Sequence, residues 1–479
     1  MLAGVSQPFI DHEVMLALRD RGVLIYDADL TERPVSNTST TYPGAAYGWM
    51  SDEVHLGYQA ALVSMHSPTY GRLWLSVRQH AGDTVAISQL AAAVQAAEAS
   101  TGARPRRRVE FLEQRITAQH ADIREAETQA EKAQRRVVQA QARLDAATQE
   151  REDRSLELAT LQAQYQAKDR PEGRYSHLAE ARRKLAVRER QAVRRQRELA
   201  QAQCGLQRYQ AKMASLQAEL EDLQQRLTQF QADNANNRCP IRAIFRLDAG
   251  FASGANLALL IEMGYDVYTK AGNAQIVRAA RRKAGTMAQW TRVGKNAELT
   301  AWENETVANC PYRLDVGLER FHAGDEVRHA VLLHYGADRV ATDLPAWFSF
   351  YNRRQTIEAG IKEGKNVFEM HHLKVRSPNG LAIQEAFAAF AANFVRWAGK
   401  QSHDTSQSAS ASLQPPELSV KQSVRIAANT SAWVTWQPEG CLLRFTDLNA
   451  FPGATWPIVG TGAFQLPLPL FKSAAPVPI

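Results

Sequence analysis

Cysteine is scarce. The 479-residue chain has four, Cys204, Cys239, Cys310 and Cys441. They lie far apart, form no zinc-type pair and are too few for a disulfide framework, which fits a reducing cytoplasm. No run of about 18 apolar residues occurs, so the sequence predicts no membrane span. The N-terminal MLAGVSQPFIDHEVMLALRDRG has acids near its start and lacks the basic-then-apolar order of a signal peptide. A strong excess of one charge is also missing. Lysine and arginine number 57 against 50 aspartates and glutamates, a formal charge of +7. That balance is compatible with a polyanionic partner without identifying one. An apolar share of 45% with 22% charged residues excludes a mainly disordered chain. The length implies more than one structural unit.

Glycine and proline nearly vanish between about 106 and 235, where Ala, Gln, Arg, Glu and Leu dominate. A heptad runs through Leu178, Leu185, Ala192, Leu199, Leu206, Met213, Leu220 and Leu227, with Ala181, Ala202, Leu216, Leu223 and Phe230 at partner positions. An earlier one runs through Val109, Ile116, Ile123, Ala130, Val137 and Leu144, then Leu158 and Tyr165. KDRPEG (168–173) separates them, with Pro171 and Gly173 suited to a reversal. The pattern predicts an antiparallel coiled-coil hairpin over 105–236. ARRKLAVRERQAVRRQR (181–197) within it carries eight basic residues and one Glu. Its Arg188, Arg194 and Arg195 are candidates for DNA phosphate contact, and a solvated helix face is the plainer reading.

The flanks read as mixed α/β. Before the hairpin (1–104), VLIYDAD, QAALVSMHS and RLWLSVRQH are strand candidates and ISQLAAAVQAAEAS a helix. After it (237–400), IRAIFRLD is a strand, GANLALLIEMG a helix and DVYTKAG a strand, followed by a β-rich stretch at about 285–345 and then helices. Residues 401–479 form a linker and a short β-rich tail in which SVRIAA, AWVTW and CLLRFTD look β-like.

Three acids sit where a divalent-cation site is built. Asp29 closes the first strand, Asp248 closes IRAIFRLD, and Glu358 belongs to a helix. Mg²⁺ takes hard oxygen ligands, and carboxylates at strand ends beside one on a packed helix suit phosphoryl transfer. A lone strand-end Asp is more often a turn former or cap. Near Glu358, Tyr351, Arg354 and Lys365 recur at spacings of three, four and seven, which places all four on one helical face. Paired His371 and His372 follow, without a third ligand.

This Tyr-Arg-Glu-Lys spacing resembles the signature of DDE transposases of bacterial insertion sequences, the branch called insertion-sequence family four. RLDAGFASGANLALLIEMGYDVYTKAG is similar to the block holding that family's second aspartate, and YDADLTERPVS to the block holding its first. The Thr two residues on selects Asp29 over Asp27, which stays the runner-up. The resemblance implies an α/β fold: a ribonuclease H-like catalytic core interrupted by the coiled-coil hairpin and a β-rich insertion. It implies that Asp29, Asp248 and Glu358 bind Mg²⁺, with Mn²⁺ as a substitute, for strand cleavage and strand transfer. Tyr351, Arg354, Lys362 and Lys365 would contact DNA. Partners would be double-stranded DNA and a second copy in a homodimer, with no membrane, in a nucleoid-associated cytoplasmic setting. Trp290 and Trp302 lie in the stretch where the family uses a tryptophan on a flipped base, and core packing is their plainer role.

Two departures qualify the resemblance. Only 28 residues precede Asp29, fewer than the helical DNA-binding domain usual there, and the hairpin lies between the first two acids. The rival readings are a truncated, inactive remnant that keeps the fold and a structural coiled-coil or DNA-binding protein.

Overall fold

A computed structural model describes residues 2–38, 41–50, 52–169, 171–286, 288–307, 309–324, 326–368, 370, 377–409, 419–428, 432–437, 440–445 and 464–466. His371, His372 and the tail after 466 lie outside them. The chain divides into two compact units, one of Met1–Arg107 with Asn237–Ile479 and one of Arg108–Asn236.

The larger unit begins with α1 (Leu2–Arg21), β1 (Val23–Pro34), β2 (Ala46–Met50), β3 (Glu53–Met65), β4 (Leu73–Ala81) and α2 (Leu90–Thr101). The second unit supplies α3 (Val109–Ala167) and α4 (His177–Asn236). The larger unit resumes with β5 (Arg242–Leu247), α5 (Gly254–Glu262), β6 (Asp266–Lys270) and α6 (Ala274–Ala284). Then come β7 (Thr291–Arg292), β8 (Ala297–Thr306), β9 (Arg313–Ala323), β10 (Glu326–Tyr335), α7 (Leu344–Asn352), α8 (Gln355–Val367) and α9 (Pro378–Ala409). The last elements are α10 (Val420–Ala428), β11 (Ala432–Gln437), β12 (Gly440–Phe445) and β13 (Phe464–Leu466). SVRIAA is therefore helical, against the β reading. Ser419 begins the turn, its hydroxyl accepting from the Gln422 amide at 3.3 Å. The stretch expected to be linker is helical as far as Ala409.

One mixed sheet of ten strands organises the larger unit, in the order β2-β3-β1-β5-β6-β10-β9-β8-β7, with β4 also paired to β3. β1 runs antiparallel to β3 and parallel to β5, and β5 runs parallel to β6. β1 alternates its side chains between the two faces of the sheet. On one face Tyr26 packs with Phe245 and Tyr265, ring centroids 5.2 and 6.4 Å away. On the other, Ile25 joins Ile244, Tyr268, Trp347 and Tyr351 in a buried cluster. Further along that face, Leu62 and Trp74 pack with Ile357 and Ile361 of α8 and Ala388 and Ala392 of α9. Asp27, Asp29, Thr31 and Arg33 continue the Ile25 row by the same alternation.

β1 is longer than its sequence signature implied. It runs through Asp29 to Pro34 because β3 pairs with it along that length, with Asp29 opposite Leu62 and Pro34 opposite Gly57. Asp29 is thus inside a strand, not at its end. What ends near Asp29 is the parallel pairing with β5, whose last pair is Ala28 with Leu247.

The second unit is an antiparallel pair of helices of 59 and 60 residues, each about 90 Å long at ~1.5 Å per residue. Gln119 donates to the Leu216 carbonyl at 2.8 Å, and Arg188 meets Glu150 at 2.8 Å. The buried seam of α3 is Leu112, Gln119, Ala126, Ala133 and Ala147, with Ile123. It is offset by three from the predicted heptad. Both heptad positions face the partner helix, and the small alanines are covered more completely than the bulkier chains beside them. Among the described residues, no helix of either unit is long and apolar enough to cross a membrane.

Candidate active site

Asp29 and Asp248 follow directly on the last parallel pair of β1 and β5. Asp248 leaves β5 in an extended conformation and starts a short 3-10 turn. Glu358 comes from the first turn of α8. The Tyr351–Lys365 stretch is not one helix. α7 is capped by Asp343, whose carboxylate accepts from the Ala346 amide at 3.0 Å, and it ends at Asn352. Arg354 N then donates to Tyr351 O at 2.9 Å and Ile357 N to Arg354 O at 2.7 Å. These tighter i to i+3 bonds turn the chain into α8. The predicted shared face is therefore divided between two helices, with Arg354 at the bend.

That bend aims one guanidinium at all three acids. Arg354 Nη1 donates to Asp29 Oδ2 at 3.3 Å, and Nη2 donates to Asp248 Oδ1 at 3.5 Å and Glu358 Oε1 at 3.2 Å. The arginine is buried and Asp29 nearly so, while Asp248 and Glu358 keep 46% and 50% of their side-chain surface exposed. The cluster therefore opens to solvent on the side of the latter two. Burial, aided by the neighbouring Asp248 charge, pushes Asp29 up to about 6 against the pull of Arg354. Leu30 N donates to its other oxygen at 2.8 Å.

The other predicted contacts differ in exposure. Tyr351 is buried, its hydroxyl donating to Leu247 O at 3.3 Å, with Lys270 Nζ 5.8 Å from its ring centroid. Lys365 is partly buried and burial holds its amine below the usual range, with Glu32 and Asp29 opposing that effect. Lys362 is exposed. Hairpin residues Arg194 and Arg195 both pair with Glu198, at 3.1 and 2.6 Å, and Arg188 also bonds Gln191 at 2.8 Å. Each tryptophan singled out in the β-rich stretch lies against a cation, Trp290 with Arg320 at 4.1 Å and Trp302 with Lys283 at 5.3 Å to the ring centroids.

Asp27, the runner-up first acid, is committed elsewhere. Its two oxygens accept from Arg246 Nε at 2.7 Å and Nη2 at 2.8 Å, and both side chains are buried. Sequence reading missed Arg246 and Arg72 as parts of this region. One signal was present: Arg246 precedes Asp248 by two residues, as Asp27 precedes Asp29, so parallel pairing sets opposite charges side by side.

The donor set suits a hard divalent cation. Three carboxylates gather on one face and Arg354 returns a single positive charge. Among the described residues, no three His, Cys, Asp or Glu groups converge closely enough to form a ready cation cage. These acids converge on the guanidinium instead. No protein-family model and no curated protein matches the sequence.

Proposed function

We propose that the chain is a DNA-processing enzyme of the DDE transposase type, with a ribonuclease H-like core. The observation that carries this reading is the convergence of Asp29, Asp248 and Glu358, brought from sequence positions far apart onto Arg354. The strand run β4-β3-β1-β5-β6, an antiparallel meander joined to two parallel strands, supports the core assignment.

Asp29, Asp248 and Glu358 would hold Mg²⁺, or Mn²⁺ in its place. A divalent ion there supplies neutralisation of charge on the phosphoryl oxygens during strand cleavage and transfer. The chain's own groups do the positioning. Arg354 balances the acids and lies within reach of any phosphate drawn to them. Lys365 and the exposed Lys362 extend positive charge along α8 for a DNA backbone. Tyr351 braces the α7 end against β5 through Leu247 O.

For the hairpin, Arg188, Arg194 and Arg195 each meet a carboxylate within the hairpin itself, and these exposed pairs are weak enough that phosphate contact stays part of the proposal, Arg194 keeping 79% of its side chain exposed. The DNA-processing reading is tested by divalent-cation-dependent nicking of duplex DNA, with Glu358→Gln as the variant that should be inactive. An inactive remnant would nick in neither form.

A further inference from the structure

Asp27 takes part in more than one ion pair. Besides its two bonds from Arg246, its Oδ2 lies 3.7 Å from Arg72 Nη2. All three side chains are buried. A buried carboxylate without compensating charge is strongly disfavoured, and so are two buried arginines without it. The three groups therefore hold together as a unit.

Each arginine has a second grip on the helices that carry the site. Arg246 Nη1 donates to the carbonyl of Phe350, in the last turn of α7, at 3.0 Å. Its guanidinium also lies 5.2 Å from the centroid of the Phe350 ring. Arg72 Nη2 donates to the Thr356 hydroxyl, in the first turn of α8. Phe350 and Thr356 bracket the bend at Arg353–Arg354, and Glu358 follows two residues later. One carboxylate on β1 thus fastens both sides of the bend, two residues before Asp29 on the same strand face.

We propose that Asp27 is the positioning residue of this site: through Arg246 and Arg72 it fixes where Arg354 and Glu358 stand relative to Asp29 and Asp248. The proposal rests on reading the three acids as a divalent-cation site for strand cleavage. It gives Asp27 no cation contact. A ligand set needs its supporting groups, and loss of such a group lowers cation affinity while the ligands remain.

Two variants and two readouts test this. Asp27→Asn keeps the shape and removes the charge. Arg246→Lys keeps the charge and removes the fork that reaches both Asp27 and Phe350. Mn²⁺ binding is followed by electron paramagnetic resonance well below the melting temperature, and amide hydrogen exchange is followed along the chain. Asp27→Asn should weaken Mn²⁺ binding by about 10–100-fold. It should speed exchange across 353–361 while β1 and β5 stay protected. Arg246→Lys should shift both in the same direction, and it decides the matter if Asp27→Asn does not fold. Wild-type Mn²⁺ affinity and wild-type exchange in α8 would overturn the proposal. So would faster exchange spread evenly over the whole sheet, the mark of a merely structural pair. Asp248→Asn serves as the separate control. If it binds Mn²⁺ as the wild type does, the cleavage-site reading fails, and the exchange data alone then judge Asp27.

Discussion

Arg246 lies opposite Asp27 on two parallel strands, and two residues further along stand Asp248 and Asp29. The buried pair and the candidate site are consecutive steps on one sheet face. The same strand register that neutralises the first step brings two like charges together at the second. Arg354 answers that repulsion by donating to both carboxylates.

The two segments of the larger unit that flank the hairpin in sequence are tied to each other. Asn237 Nδ2 donates to the carbonyls of Arg104 and Pro105 at 3.0 and 3.3 Å, and Ile241 N donates to Arg104 O at 3.2 Å. Arg107 adds two bonds to Glu98, at 2.7 and 2.6 Å. Replacing 108–236 by a short linker should therefore leave a cooperatively unfolding core, because these contacts need no residue of the hairpin. Urea unfolding followed by circular dichroism checks this, and a broad, non-cooperative transition would contradict it.

Gly360 lets α8 approach β4 closely. A Cβ at that position would stand 2.8 Å from Arg72 Nη1 and 2.9 Å from Trp74 Cζ2. Gly360→Ala should cost about 1–3 kcal/mol through overpacking. Both contacts belong to side chains, so partial relief by their movement sets the lower end. The urea midpoint measures the cost.

His66 makes a stability prediction with a defined sign. Arg21 Nη1 lies 2.8 Å from its Nδ1, and since arginine can only donate, the ring accepts there. Burial chiefly, with Arg21, Arg246 and Arg72 adding and Asp27 opposing, pushes its pKa down to about 4. The unfolded chain therefore takes up the proton first as pH falls. The stability contribution is fully present above about 6.5 and is lost as pH falls toward 4. His66→Gln should flatten the decline in stability between pH 6.5 and 4. An unchanged decline in urea midpoints would contradict the assignment.

Arg354→Gln leaves three carboxylates without their shared counter-charge. It should destabilise the cation-free protein by about 1–3 kcal/mol, the scale of leaving partly buried polar groups unsatisfied. Millimolar Mg²⁺ should raise the melting temperature of the variant more than that of the wild type. Melting curves with and without Mg²⁺ give both numbers.

Much of this organisation was written in short-range pattern. The hairpin follows from heptads, and β5, α5 and β6 follow from apolar runs between turn residues. Three things were not legible locally. The bend at Arg353–Arg354 breaks no periodicity, since side-chain spacing reports a shared face whether or not the axis turns. The extension of β1 beyond Asp29 depends on its pairing with β3 and on Arg33, whose partner Glu385 is 352 residues away in sequence. The role of Asp27 depends on which strand lies beside it. Asp27 and Asp29 share one alternation in sequence, and the neighbours Arg246 and Arg72 set the buried Asp27 apart from Asp29, which meets Arg354.

The most direct measurement is strand nicking of supercoiled plasmid DNA in Mg²⁺ or Mn²⁺ by the wild type, Asp29→Asn, Asp248→Asn and Glu358→Gln. The wild type should nick only with the divalent ion present. Each variant should lose about 100- to 1,000-fold in rate, the scale of removing one preorganised group from a polar active site, while melting within a few degrees of the wild type. Nicking by the variants at the wild-type rate, or none by the wild type under any of these conditions, would contradict the assignment of Asp29, Asp248 and Glu358 as a strand-cleavage site.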